Sequence, residues 1–249
     1  MMNEMIDYMQ AFLATKNLSE NSKTAYLYDL QQFIKQCEGK PTPSKLALYQ
    51  IFLQDLKPAA QKRKVSTVNQ FLYYLYEQGR VERYYKVKVS QQVLPQPRVV
   101  SLEDRSFLWM ESKYEDGQRI ALLIAYLGLL PSELAVIKQA DIDLNFQVLT
   151  ITKSGQKRVL SIPNQLLSIL ERKEGIYLFD KDGSPYSRQW FFNRLSEFLE
   201  EQGKSEWTAQ KLRQQFILSQ LQAGKDLAAV AKHLGLKTMI SLEKYKHGY

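Results

Sequence analysis

Through the first ninety residues apolar side chains recur three and four positions apart, the spacing of one helical face. Met5, Met9 and Phe12 begin such a stripe. In SENSKTAYLYDLQQFIKQC it continues over Tyr26, Leu30, Phe33, Ile34 and Cys37, with Ser19 placed as an N-cap. A shorter helix is expected over SKLALYQIFLQDL. In AAQKRKVSTVNQFLYYLYEQG, Val65, Val68, Leu72, Leu75 and Tyr76 mark one face, and Gly79 suits the stop. No alternating pattern intrudes, so residues 1–90 read as a helical domain of about four helices.

The periodicity breaks at SQQVLPQPRVVSLED, where two prolines and polar residues mark a linker, placed at 91–100. Ser101 is expected to cap the following helix. Residues 101–249 form a second domain. RIALLIAYLGL and PSELAVIKQADI read as helices, with Pro131 in a first turn. QVLTIT and RVLSIP flank KSGQK, the pattern of a strand–turn–strand hairpin. Helices return over PNQLLSILERK, SRQWFFNRLSEFLEEQG, AQKLRQQFILSQLQAG, KDLAAVAKHLG and ISLEKY. The fold class expected is mainly α with a small antiparallel β-sheet, α+β.

Charge narrows the partners. The net charge is +8 with a sequence pI of about 9.3, which favours a polyanion such as nucleic acid. On charge alone, a merely basic cytosolic protein fits equally well. Residues 1–96 carry a net +5 and the longer remainder +3, so the first domain is the more densely basic. One cysteine, Cys37, excludes an internal disulfide, and two histidines, His233 and His247, are too few for a zinc site without several carboxylates. The opening MMNEMIDYMQ lacks the basic-then-apolar order of a signal peptide, and no apolar run approaches the ~20 residues of a membrane span. A cytoplasmic, metal-free protein with no membrane partner is expected.

The candidate chemistry lies in short stretches: LGLLPSELAVIKQADIDL, TKSGQKRVLSIP, KLRQQFILSQLQAGKDLAAVAKHLGLK and EKY. Taken singly they are weak. A lysine in a hairpin turn is usually solvated, an arginine on a helix is usually structural, and Tyr245 is one of fifteen tyrosines. In this order and spacing, however, they resemble the tyrosine recombinase (integrase) family, and within it a divergent Xer branch. LSENSKTAYLYDLQQF and QKRKVSTVNQFLYYLYEQGRV resemble the helices of the family's core-binding domain, so the likeness covers nearly the whole chain.

The resemblance implies an N-terminal four-helix, SAM-like core-binding domain and a C-terminal tyrosine-recombinase catalytic-type domain. It also implies a chemistry. A tyrosine hydroxyl attacks a DNA phosphodiester to give a 3′-phosphotyrosyl link and a free 5′-hydroxyl, with no cofactor, because the covalent link stores the bond energy. By that pattern Tyr245 is the nucleophile, Arg213 one phosphate-binding arginine, and Lys153 the hairpin lysine that protonates the leaving oxygen. Further positions depart from it. Leu130 stands where the family has its first arginine in G-L-R-x-S-E-L. Gln210 replaces the histidine of H-x-x-R, with Gln214 replacing the histidine after the arginine. Leu236 replaces the late histidine or tryptophan. His233 would require a register shift, and His247 reads as a tail residue.

Lys62, Arg63 and Lys64 open an amphipathic helix and are the clearest DNA footprint, although such a run is more often a solvated helix end. Lys23 and Lys35 on the preceding stripe, Lys86, Lys88 and Arg98 by the linker, and Lys157 and Arg158 beside Lys153 extend it. About six neutralised phosphates make affinity fall steeply with salt. Three readings follow: an active recombinase, a catalytically silent DNA-binding or regulatory protein on the same scaffold, and a helical interaction protein. The expected partner is double-stranded DNA, with another recombinase protomer on it. Only four residues follow Tyr245, so no long tail is available for exchange between protomers, and a free monomer is expected.

Overall fold

A computed structural model describes residues 2–88, 101–153, 155–171 and 174–245. It divides into two compact units, Met1–Gln96 and Pro97–Tyr249. The expected linker at 91–100, Arg98 and His247 lie outside the described residues.

The first unit contains α1 (Met2–Ala14), α2 (Glu20–Gln36), α3 (Pro43–Gln54) and α4 (Pro58–Glu77). Ser19 caps α2 by accepting the Ser22 N–H at 3.3 Å. Met9, Phe12, Leu30, Phe33, Tyr49, Leu53, Val68, Phe71, Leu72 and Leu75 are fully buried between the helices. Phe33 meets Tyr49 edge-on at 5.1 Å and Phe12 meets Phe71 at 5.5 Å. Gly79 takes a left-handed φ of 64° just beyond α4, as a helix stop requires. Tyr76 departs from the stripe: it is 45% exposed.

Inside this core sits a charge. Asp29 on α2 is fully buried and accepts from Lys64 Nζ on α4 at 2.8 Å, while Arg63 Nη2 approaches at 3.1 Å. Lys64 also donates to Gln32 Oε1 at 2.6 Å. A buried carboxylate needs such a counter-charge, since its desolvation would otherwise cost several kcal/mol. The pair therefore ties α2 to α4 at a defined register.

The second unit is built around α5 (Glu115–Leu127), whose residues Ile120–Ala125 are all completely buried. A helix apolar on every side must lie inside, and α7 (Arg188–Glu201) and α8 (Ala209–Gln222) pack against it. Gly117 allows the α5–α7 approach, because a Cβ there would lie 2.2 Å from the Arg194 carbonyl oxygen. Gly128 ends α5 in the left-handed region at φ 67°.

The sheet follows. β1 (Ile142–Asp143), β2 (Val148–Lys153) and β3 (Gln156–Ser161) form an antiparallel meander, with Ile151 opposite Arg158 and Lys153 opposite Gln156. The hairpin read from KSGQK is present, with Gly155 at φ 77°. A second, two-stranded hairpin, β4 (Asp180–Lys181) with β5 (Ser184–Pro185), has no counterpart in the sequence reading.

Three expected elements differ. PSELAVIKQADI is α-helical only over α6 (Pro131–Leu134), with a 3-10 turn at Gln139–Asp141, because the backbone groups between pair elsewhere. Gln139 N–H bonds the Ile176 carbonyl at 2.9 Å and Leu178 N–H the Ile137 carbonyl at 2.8 Å. PNQLLSILERK forms two 3-10 turns, Asn164–Leu166 and Ser168–Leu170, and Arg119 Nε takes the Ile169 carbonyl at 3.2 Å. Ser101 caps no helix. Its carbonyl accepts from the buried Gln215 Nε2 at 3.1 Å, and Gln215 Oε1 accepts the Glu103 N–H at 2.8 Å. After α8, α9 (Leu227–His233) and a terminal 3-10 turn, Ile240–Tyr245, pack with α8 as a separate small core.

Candidate nucleophile cavity and basic cleft

Family-motif positions from four parts of the second unit come to the same place. Leu130 precedes α6; Gln210, Arg213 and Gln214 lie on α8; Leu236 follows α9; Tyr245 ends the terminal turn. All six line one cavity of about 390 Å³, together with Pro131, Ile217, Leu234 and Leu242. Arg188, the first residue of α7, also lines it, a cation the sequence reading passed over.

Arg213 is the cavity's interior charge. Its Nη2 donates to the Leu234 carbonyl at 3.5 Å, while its buried Nε has no partner. Burial pulls the guanidinium below its ordinary value, opposed by the Glu133 carboxylate; nearby Arg158 lowers it further, and Tyr245 raises it. A guanidinium starts so high that it remains charged. Tyr245 is 7% exposed and packs with Leu242, Phe216 and Val230. Lys244 Nζ lies 5.0 Å from its ring centroid.

A larger cleft of about 900 Å³ is lined in part by Lys153, Lys157, Arg158, Lys225, Lys232 and Lys237. Leu236 lines both spaces, so the cleft and the tyrosine cavity adjoin. Neither lining contains an acid. Lys225, Lys232 and Lys237 were not singled out from the sequence, although their recurrence in AGKDLAAVAKHLGLK was a readable signal.

Glu133 organises the charges between the two. It is buried on α6; its Oε2 accepts the Leu130 N–H at 2.9 Å, and its Oε1 accepts from Arg158 Nη1 at 3.0 Å. Lys153 Nζ stands 3.9 Å from the same oxygen, with its side chain 51% exposed. Burial alone would raise the Glu133 carboxyl. The hydrogen bonds from Arg158 and the Leu130 N–H, with the charges of Arg158 and Lys153, outweigh it and hold the group below the usual carboxylate range. The signal was available: a glutamate three residues into a helix reaches back to the first N–H.

His233 Nε2 donates to the Leu127 carbonyl at 3.0 Å, and the ring lies against Phe216 at 4.9 Å. It lines the basic cleft and not the tyrosine cavity. Burial chiefly lowers its pKa, the carbonyl contact opposing and Lys225, Arg158 and Arg213 adding to the fall. Among the described residues no group of three or more His, Cys, Asp or Glu is placed to hold a metal ion, and no helix is long and apolar enough to cross a membrane.

The expected surface cations divide. Lys23, Lys62 and Lys157 are exposed, as are Lys35, Lys86 and Lys88. Arg63 is 43% exposed along its side chain but shares Asp29. Two must be corrected as surface groups. Lys64 is 6% exposed, its charge spent on Asp29 inside the helical core. Arg158 is 15% exposed, because strand alternation puts it on the inner face with Leu160.

The phage integrase family model matches residues 104–249. A protein of Streptococcus suis (strain 05ZYH33) named tyrosine recombinase XerD-like is 51% identical over 239 residues, covering 96% of this chain and 98% of that one. Among solved structures, the Tn1549 transposon integrase in complex with a circular intermediate DNA aligns with a TM-score of 0.76. It is 14% identical, with 96% of this chain and 94% of that one covered. The XerH site-specific recombinase bound to difH substrate aligns at 0.69, 16% identical over 99% of this chain and 94% of that one. At those identities the two structures share the fold, and the sequence matches settle descent: the chain belongs to the phage integrase family, the tyrosine recombinases.

Proposed function

We propose that this protein binds duplex DNA and cuts and rejoins it slowly through a phosphotyrosyl intermediate on Tyr245. The observation that carries the reading is the convergence of Tyr245 and Arg213 on one cavity, beside an acid-free cleft that includes Lys153. Membership of the tyrosine recombinases, and the DNA bound in the XerH and Tn1549 integrase complexes, support duplex DNA as the substrate.

In the proposed step the Tyr245 oxygen bonds to phosphorus as the phosphorus–5′ oxygen bond breaks. The phenolic proton leaves to water, and Lys153 gives a proton to the departing 5′ oxygen. Arg213 opposes the charge that gathers on the non-bridging oxygens. No outside reductant or nucleotide enters the balance, and resealing is the reverse reaction. Leu130 and Leu236 offer neither charge nor hydrogen bonds, and each lost donor costs about 10²–10³ in rate, with strong non-additivity between such groups.

That apolar lining favours a second reading, a DNA-binding protein of the family that does not cut. One experiment separates them. A binding duplex selected from random sequence is nicked beside the protected centre and incubated with wild type and with Tyr245→Phe. A denaturant-stable protein–DNA adduct lost in the variant supports strand transfer. Salt-sensitive binding with no adduct from either protein favours the silent reading.

A further inference from the structure

We infer that Arg158 supplies the guanidinium absent at position 130 and, together with Arg213, grips the scissile phosphate. This rests on the proposed recombinase reading and adds to it a residue at a different place in the chain, delivered from β3 and not from the start of α6.

Two contacts and one charge effect place the Arg158 head group among the depleted positions. Its Nη1 reaches the Glu133 carboxylate, which itself holds the Leu130 N–H. It lies over Gly235, where an added Cβ would stand 2.9 Å from Nη1, and Gly235 immediately precedes Leu236. It is near enough to Arg213 for its charge to oppose that guanidinium. The Arg158 side chain therefore stands between the loop that lost an arginine and the loop that lost a histidine or tryptophan, on the wall of the cleft adjoining the Tyr245 cavity.

A purely structural role leaves two observations unexplained. An arginine kept only to neutralise Glu133 would present its fork, two parallel N–H groups, to the carboxylate. Here one nitrogen does so, and Nε and Nη2 are buried without a hydrogen-bond partner. Arg213 Nε is in the same condition. Unpaired buried donors are destabilising, and more so when charged, unless something accepts from them. The local charge points to what that is: Arg158, Arg213 and Lys153 face the single carboxylate of Glu133. A phosphodiester oxygen is an anion and an acceptor, and it answers both the unpaired donors and the surplus charge. A small swing of the guanidinium toward the cleft it lines presents Nε and Nη2 to that oxygen. The clamp transfers no proton.

The test uses the full chain and the nicked, selected duplex in two forms. One carries the natural phosphodiester at the cleavage position; the other carries a methylphosphonate, in which a neutral methyl replaces one charged oxygen. Arg158→Gln is expected to slow formation of the Tyr245 adduct about 10²–10³-fold on the phosphodiester, yet by less than about threefold on the methylphosphonate, where less charge needs neutralising. Restoring a guanidinium with Leu130→Arg in the Arg158→Gln background is expected to recover much of the loss, an outcome a disturbed fold would not give. Equal slowing on both substrates without recovery, or no slowing on either, would overturn the assignment of Arg158 while leaving Tyr245 as nucleophile. No adduct from wild type on either substrate would remove the recombinase reading itself, and the Arg158 assignment with it.

Discussion

Replacing Glu133 by Gln tests whether one buried carboxylate holds the charged wall of the site together. The substitution keeps the side-chain shape and an oxygen for the Leu130 N–H, so the start of α6 retains its bond. What disappears is the negative charge facing Arg158 at 3.0 Å, with Lys153 at 3.9 Å and Arg213 also drawn to it. Removing one partner of a buried ion pair costs about 3–5 kcal/mol. With its oxygen kept for the Leu130 N–H, the glutamine turns its NH2 toward Arg158 and accepts nothing there, while Arg158 keeps some solvent contact, so about 2–4 kcal/mol is expected here. All three tryptophans, Trp109, Trp190 and Trp207, lie in the second unit, so their fluorescence reports that unit's unfolding. With a urea dependence of about 2 kcal/mol per molar, the midpoint should fall by about 1–2 M. The deficit is also pH-dependent. The Glu133 carboxyl is held low in the folded chain, so its contribution is complete above the unfolded value of about 4.3 and is lost as pH falls through the folded value. Wild type and Glu133→Gln should therefore converge in acid. A midpoint shift below about 0.3 M at pH 7, or a gap that does not narrow in acid, would show that the Glu133 charge does not hold this wall together.

Other outcomes follow from the same contacts. Lys64→Met should lower the first unit's stability by about 3 kcal/mol, read by helical circular dichroism, and leave the salt dependence of DNA binding unchanged. Lys62→Ala should do the reverse, reducing that salt slope by about one unit at unchanged stability. His233 is depressed by burial, so its stabilisation is complete above about pH 6.5 and fades as pH falls below it. His233→Gln should flatten the second unit's stability between about pH 7 and 5, and an unchanged slope would contradict the burial argument. Gly117→Ala forces a methyl onto the Arg194 carbonyl, a contact with backbone that cannot swing away. A loss of about 2 kcal/mol or more is expected in tryptophan-monitored unfolding.

What the sequence disclosed depended on how local the cause was. Helices α2 and α4 were legible because their stripes and the Ser19 cap lie within one stretch of chain. The β2–β3 hairpin was legible from its glycine turn. PSELAVIKQADI and PNQLLSILERK carry helical spacing but stop short, since Ile176, the Leu178 N–H and Arg119, each about 40–50 residues away, take the backbone groups a longer helix would use. Lys64 shows the same limit on charge. Its neighbours Lys62 and Arg63 made a basic run, while the partner that draws it inward, Asp29, lies on another helix. The cavity itself was legible through family motifs at Leu130, Gln210, Arg213, Leu236 and Tyr245, whereas Arg158 looked like surface charge until strand pairing turned it inward.

In the proposed reaction the Tyr245 oxygen becomes covalently joined to DNA. Mass spectrometry of the denatured, nuclease-trimmed product formed on the nicked selected duplex tests it most directly. A nucleotide attached through phosphate to the peptide containing Tyr245 is expected, absent from Tyr245→Phe and slow to accumulate. Saturating, salt-sensitive binding with that peptide unmodified after prolonged incubation would contradict the proposed reaction.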